Sequence, residues 1–351
     1  MPHPFWWKAG SHCQEHVVHM ETNLMIRWKQ QLLLGLAGSL LAAGLTTTAR
    51  AETWPSQPLR IIVPFPAGGA GDLVPRIIGE SLSRSLGQPV IVENRPGAEG
   101  AIGVNAVARA KPDGYTLGVA TSGPVVIGKR LFTNLPYDPK TDLAPIGLTY
   151  ETPFVLAVPA ASPAQSLADL FRLAKEKPGT LNIAIPNSGS VQHLLSEQMQ
   201  DVAGLEILSI PYKGGGPAAV AVAAGEVDMT WAALPNVTSL IDAGKLRAIA
   251  VSSTERHPLL PNVPTVLEQG WPGLVASNWN GLIAPAGTPD AILDRLNREV
   301  NVILEQPEVV GKFKEMGVTP RPETRSGFQD LLNAEEAKWA EVIEAADIKP
   351  L

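Results

Sequence analysis

The sequence predicts an α/β fold organised as two domains, and three observations carry that reading. Short Val/Ile-rich runs alternate with segments of helical periodicity, and a strand, glycine loop and helix recur as a unit in both halves. The chain is also long enough to bury two cores: it has 351 residues, 45% of them hydrophobic and 18% charged. Only 5% are aromatic, which suits an α/β protein better than a β-sandwich.

The N-terminal segment sets the expected compartment. Arg27 and Lys29 precede an apolar stretch from Leu32 to Leu45, and small residues at Ala49 and Ala51 complete an A-x-A cleavage pattern. A bilayer span needs about 20 apolar residues, so this stretch reads as a secretory signal, with translation starting at Met25 or Met20 and residues 1–51 removed. Removal takes away Lys8, Arg27, Lys29 and Arg50 and the acids Glu15 and Glu21. What remains has 24 basic and 32 acidic residues, a net charge of −8. Such an acidic surface argues against nucleic acid or an anionic membrane as partner. Cys13, the single cysteine, lies in the removed part and upstream of the apolar stretch, so neither a disulfide, a thiolate site nor lipidation is expected.

Leu59 to Val63 is a β-branched run suited to a buried parallel strand. The loop Pro64 to Asp72 follows, then an amphipathic helix from Leu73 to Leu86, stopped by Gly87-Gln88-Pro89. Val90 to Val92 forms a second strand, giving a βαβ unit with a right-handed crossover. A small-residue helix over 100–110, the turn Pro112-Asp113-Gly114 and a strand Tyr115 to Ala120 ending at Thr121-Ser122-Gly123 repeat the theme. The second half offers a strand Phe154 to Val158, a helix Leu167 to Lys175 and a strand Asn182 to Ile185. The loop Pro186 to Ser190, a helix Val191 to Val202 and a strand Glu206 to Ile210 come next, leading to the loop Pro211 to Pro217 and an Ala/Val-rich helix to Ala224. A strand Leu246 to Val251 returns toward the first half, which the helices at 289–304 and 327–345 complete. Ligands of open α/β sheets sit at the carboxyl ends of strands, so the loops there are the candidate site.

Each half thus supplies a glycine loop at a helix start, where free backbone N–H groups favour an anion. In the loop Pro64 to Asp72 a carboxylate could be held without any arginine, with Asp72 capping or bracing the loop and able to meet an amino group on the ligand. A tight turn with Asp72 as a helix cap accounts for the same residues. A dinucleotide reading is opposed by Val74 where a third glycine belongs and by Pro66 and Pro75, although Glu93 ends the next strand about twenty residues on. A serine hydrolase would draw on Ser188, Ser190 and His193, yet Asn187-Ser188-Gly189-Ser190 is not a G-x-S-x-G elbow. His193 then reads as a first-turn residue lining the cleft. Outside the removed segment His193 and His257 are the only histidines, so no metal is expected. Trp271 and Trp279 read as core, whereas Trp231, after the strand residues Val227 to Thr230, reads either as a wall of the ligand or as packing.

Six ordered motifs also make the chain resemble the solute receptors of tripartite tricarboxylate transporters, the Bug-type receptors. They are Ile62 to Gly69 with Asp72, Val92 to Ala98 with Gly100 and Gly103, Pro112 to Thr116, Pro211 to Pro217, Pro261 to Thr265 and Ala284 to Pro289. The resemblance implies a periplasmic binding protein-like Venus flytrap of two α/β lobes joined by hinge strands. Lobe 1 would comprise 52–152 plus 254–351, and lobe 2 would comprise 153–253. It further implies a monomer, without cofactor or catalysis, that binds a small organic carboxylate and delivers it to the permease subunits of such a transporter. A sensory role would use the same site with another partner. Carried onto this chain, the ligand-binding positions are Phe65, Pro66, Ala67, Gly68, Gly69 and Asp72 in the first loop, with Thr121 and Ser122 at the strand end. Ser188, Gly189, Ser190 and His193 follow, then Tyr212, Gly214 and Gly215, to which Trp231 is added.

Overall fold

The computed structural model describes residues 54–350, so the proposed export signal and Cys13 lie outside the described residues. The first strand, β1 (Leu59–Val63), is the center of a parallel trio. Its Leu59, Ile61, Ile62 and Val63 are all buried, as the unbroken apolar run requires. β2 (Val90–Asn94) pairs with one side of it, Leu59 opposite Val90, and β3 (Thr116–Ala120) pairs with the other, Arg60 opposite Thr116. Between β1 and β2 runs α1 (Ala70–Leu86), ended by Gly87 in the left-handed conformation at φ 69°. Its Val74, Ile78, Leu82 and Leu86 face the sheet. α2 (Ala101–Ala108) follows β2, preceded by a tight turn at Ala98–Gly100. After β3 comes a π-helical turn, Gly123–Ile127, that runs into the short α3 (Gly128–Leu131).

The expected strand at Phe154 to Val158 is the end of a much longer one, β4 (Leu143–Pro159). Pro145 and Pro153 interrupt its sequence, and register shifts at Pro145/Gly147 and Leu148/Tyr150 break the two-residue alternation that would reveal a strand. β4 changes partners along its length. Residues Leu143 to Pro153 pair antiparallel with β9 (Ser277–Pro285), whose other edge pairs with β3. Phe154 to Pro159 instead pair with β7 (Met229–Ala233) and β8 (Leu246–Val251). β5 (Asn182–Ile185) is parallel to both β7 and β6 (Leu208–Pro211). The order is β2-β1-β3-β9-β4-β7-β5-β6, with β8 and β10 (Thr319–Pro320) added on β4. One half of this sheet is therefore built on β1 and the other on β5, and β4 belongs to both.

The helices of the second half are α4 (Leu167–Glu176), α5 (Val191–Ala203), α6 (Gly215–Ala223) and α7 (Thr238–Asp242). α8 (Asp290–Leu304), α9 (Pro307–Glu315) and α10 (Arg325–Ala345) close the chain. Residues 254–276 stay with the second half after β8: the Trp271 ring meets Phe171 of α4 edge-on at 4.9 Å, and Gln269 accepts from the Leu167 N–H at 2.9 Å. α10 packs its buried Phe328 edge-on against Trp279 of β9, with ring centroids 5.6 Å apart. No helix among the described residues is long and apolar enough to cross a membrane.

Candidate ligand-binding cleft

A cavity of about 390 Å³ opens where the two halves of the sheet meet, and loops from both line it. The first wall is Phe65, Pro66 and Gly69 to Asp72. Asp72 is 2% exposed and braces this loop from within. Its Oδ2 accepts from the Gly68 N–H at 3.0 Å, and its Oδ1 accepts from Arg76 Nε at 3.0 Å and Asn94 Nδ2 at 2.8 Å. Asn94 also donates to the Phe65 carbonyl at 3.0 Å, so the end of β2 holds the loop after β1. Burial pushes the Asp72 carboxyl upward, but the bonds from Arg76, Asn94 and Gly68 outweigh it and leave it below the usual carboxylate range. Gly68 takes φ 106°, a left-handed conformation suited to glycine. Gly71 lies against the Phe65 ring, where an added Cβ would stand 3.1 Å from Cδ2. The Ala70 and Gly71 N–H groups, in the first turn of α1, have no helical acceptor.

The opposite wall is Asn187 and Gly189 to Gln192. Ser190 caps α5: its Oγ accepts from the His193 N–H at 3.2 Å and donates to the Asn187 carbonyl at 2.8 Å. His193 Nδ1 accepts from the Gly189 N–H at 3.1 Å, and its Nε2 lies 3.4 Å from Glu197 Oε1. The imidazole is therefore engaged with Gly189 and Glu197, and Ser190 meets only the backbone of His193. This arrangement contains no serine–histidine proton relay and counts against the hydrolase reading. The Val191 and Gln192 N–H groups, like those of Ala70 and Gly71, belong to a helix's first turn.

Between these walls the strands supply a polar floor. Tyr150 pairs with Asn280 and Thr152 with Asn278, so these alternating positions of β4 and β9 present four polar side chains to the cavity. Trp279, between the two asparagines, is buried on the other face. Tyr150 is pushed to a raised pKa by burial, opposed in part by its hydrogen bond with Asn280. Thr121 and Ser122 at the end of β3 also line the cavity. The Ser122 hydroxyl donates to Glu335 Oε2 of α10 at 2.9 Å, and the same oxygen accepts from Trp339 Nε1 at 2.8 Å and Trp279 Nε1 at 3.3 Å.

The sequence-predicted residues thus divide. Phe65, Pro66, Gly69, Asp72, Thr121, Ser122, Gly189 and Ser190 line one cavity, whereas Ala67, Gly68, Ser188 and His193 belong to the same loops and helix start without lining it. Tyr212, Gly214 and Gly215 do not reach the cavity wall. The Gly214 N–H donates to the Pro186 carbonyl at 2.9 Å and the Tyr212 N–H to that of Ile185 at 2.8 Å, so this loop supports the one that does. Trp231 is corrected to core. β7 runs on to Ala233 rather than stopping at Thr230, which places the Trp231 ring fully buried inside the sheet, while Ala233, Pro235 and Asn236 line the cavity. Missed from sequence were Glu99, Tyr150, Thr152, Asn278, Asn280 and Glu335. The Asn-Trp-Asn alternation at 278–280 and a charged residue between Gly97 and Gly100 were the available signals.

Among the described residues, no Lys, Arg or His lines the cavity. An anion would be held there by backbone N–H groups of two helix starts, which favour negative charge.

The fold and this paired-loop cleft define a solute-binding protein. Residues 74–348 match the model of the tripartite tricarboxylate transporter family receptor, and the chain belongs to that family. Among solved structures it is similar to Rpa4515 of R. palustris with adipate (34% identity, TM-score 0.77), covering 85% of this chain and all of that one. It is also similar to the periplasmic binding protein BugD (32%, TM-score 0.74; 85% and 100% covered). MatC from Rhodopseudomonas palustris with bound malate is a third (33%, TM-score 0.73; 83% and 100% covered).

Proposed function

We propose that this chain is an exported periplasmic receptor that captures a small organic carboxylate and delivers it to the permease subunits of a tripartite tricarboxylate-type transporter. The observation that carries the reading is the cavity shared by two helix starts, Gly69 to Asp72 and Gly189 to Gln192, with no basic side chain among its walls. The N–H groups of Ala70, Gly71, Val191 and Gln192 are the donors for one carboxylate. The adipate and malate bound by two relatives support a carboxylate ligand.

Ligand between the halves favors a closed form, because only that form makes both sets of contacts, and closure presents a new outer surface to the permease. A Kd near 1 μM needs about −8 kcal/mol, within reach of several charge-assisted hydrogen bonds. The receptor acts as a monomer, needs no cofactor or metal and performs no chemistry on its ligand. We place the return crossing between lobes near Ala276 rather than at residue 254, since 254–276 pack on the second half.

The test is a thermal-shift series with straight-chain monocarboxylates, dicarboxylates and amino acids. A ligand that binds the folded state raises Tm, by an amount that grows with its concentration over Kd. A rise confined to carboxylates is the expected result, and its absence from protein freed of bound ligand would remove the carboxylate assignment.

A further inference from the structure

One charge at the cavity has no counter-charge beside it among the described residues. Asp72 is neutralised by Arg76, whose Nη2 lies 2.8 Å from Oδ1. Glu99 also lines the cavity, at its exposed rim, and among the described residues its carboxylate has neither a cation nor a hydrogen-bond donor as partner. Partial loss of hydration at the cavity mouth pushes the Glu99 carboxyl above its ordinary range. Deeper in the cavity, Asn280 is 3% exposed and its Oδ1 has no partner among the described residues. A buried acceptor left unpaired is costly, so this atom calls for a donor from the ligand. Ser122 adds a third acceptor, because its hydrogen is committed to Glu335 and only its lone pairs face outward.

Beside amide side chains that offer donors and acceptors alike, the cavity thus holds two sets of unpaired groups: the acceptors of Glu99, Asn280 Oδ1 and Ser122 Oγ, and the N–H donors of the two helix starts. A ligand that satisfies both is negative at one end and carries donors elsewhere. A dicarboxylate would bring two negative charges to a cavity already holding one unbalanced carboxylate, while an amino carboxylate would set its ammonium against Glu99 or Asn280.

We propose that Glu99 is the selectivity residue of this receptor and that it favours carboxylates bearing an ammonium group over dicarboxylates of the same length. The inference rests on the carboxylate-receptor reading above and narrows its ligand class. Glu99 sits at φ 53°, in the turn between Gly97 and Gly100, so its side chain is set by a conformation that glycine adopts more readily.

Isothermal titration of the purified protein with two matched pairs, 6-aminohexanoate against adipate and 4-aminobutyrate against succinate, tests this. The wild type is expected to bind at least one amino member about tenfold or more tightly than its diacid, as one unit charge in a partly screened site allows. Glu99→Gln and Glu99→Gly should both erase that preference, and unchanged thermal unfolding without ligand shows that the fold persists. Should the wild type bind both diacids as tightly as their amino partners, or should Glu99→Gln leave a preference untouched, the selectivity role is overturned while the receptor reading stands. Binding of none of the four acids would overturn this inference, while the thermal-shift series above decides the receptor reading separately.

Discussion

Phe154 and Ser252 are tied to each other twice where β4 passes from one half of the sheet to the other. The Ser252 N–H donates to the Phe154 carbonyl at 2.9 Å, and the Phe154 N–H donates to Ser252 Oγ, also at 2.9 Å. Ser252 Oγ in turn donates to the Ala276 carbonyl at 2.5 Å, just before β9 begins. One fully buried hydroxyl thus joins the two segments that cross between the halves of the sheet. Ser252→Ala leaves one backbone N–H and one carbonyl buried without partners, and is expected to cost about 2–4 kcal/mol of stability. Denaturant unfolding checks it. A loss below about 0.5 kcal/mol would show that the hydroxyl is not what holds the crossing.

Asp72 carries a pH signature. Its carboxyl is held low in the folded chain, so the stability it contributes is present above the ordinary value of 3.8 and is lost as pH falls through the lower folded value. Asp72→Asn should accordingly lower stability at neutral pH and flatten the acid limb of the stability curve below about pH 4. It should also weaken carboxylate binding, because the Gly68 N–H and Asn94 lose the charge that fixes the first loop. A variant whose acid limb parallels the wild type would show that Asp72 does not carry this linkage.

Glu335 lies beneath the cleft rather than in it. A single oxygen collects the hydrogens of Ser122, Trp279 and Trp339, so Glu335→Ala strands three donors in a buried site. The expected cost is about 3 kcal/mol. Glu335→Gln keeps a carbonyl acceptor in place and should recover much of that loss. If both variants unfold at the wild-type denaturant concentration, the network contributes nothing to the fold.

The parts of this site that sequence revealed are those encoded locally. The β1–loop–α1 unit and the 186–190 loop are each a strand, a short glycine-bearing turn and a capped helix, and fewer than thirty consecutive residues specify each. The floor was hidden for the opposite reason. Tyr150 meets Asn280 only through the register of two strands 130 residues apart, and Ser122 meets Glu335 across a separation of 213. β4 was shortened by its own prolines and bulges. The glycine loop at 212–215 looked like a site because a support and a ligand wall need the same backbone freedom, and only the bond from Gly214 to Pro186 separates the two roles.

Trp231 gives the sharpest contrast between the two readings of one residue. A tryptophan walling the ligand would lose much of its binding contribution on replacement by phenylalanine, because the indole N–H and the wider ring would both be gone. The structure instead makes Trp231 a fully buried residue of β7, paired across from Leu156, with an Nε1–H that has no acceptor among the described residues. Removing an unsatisfied donor relieves a desolvation cost, which offsets the smaller volume of phenylalanine. Trp231→Phe is therefore expected to change stability by no more than about 1.5 kcal/mol in either direction and to leave the Kd of a bound carboxylate within about twofold. Titration calorimetry on the variant decides the matter, since a loss of tenfold or more in affinity with stability intact would return Trp231 to the cavity wall.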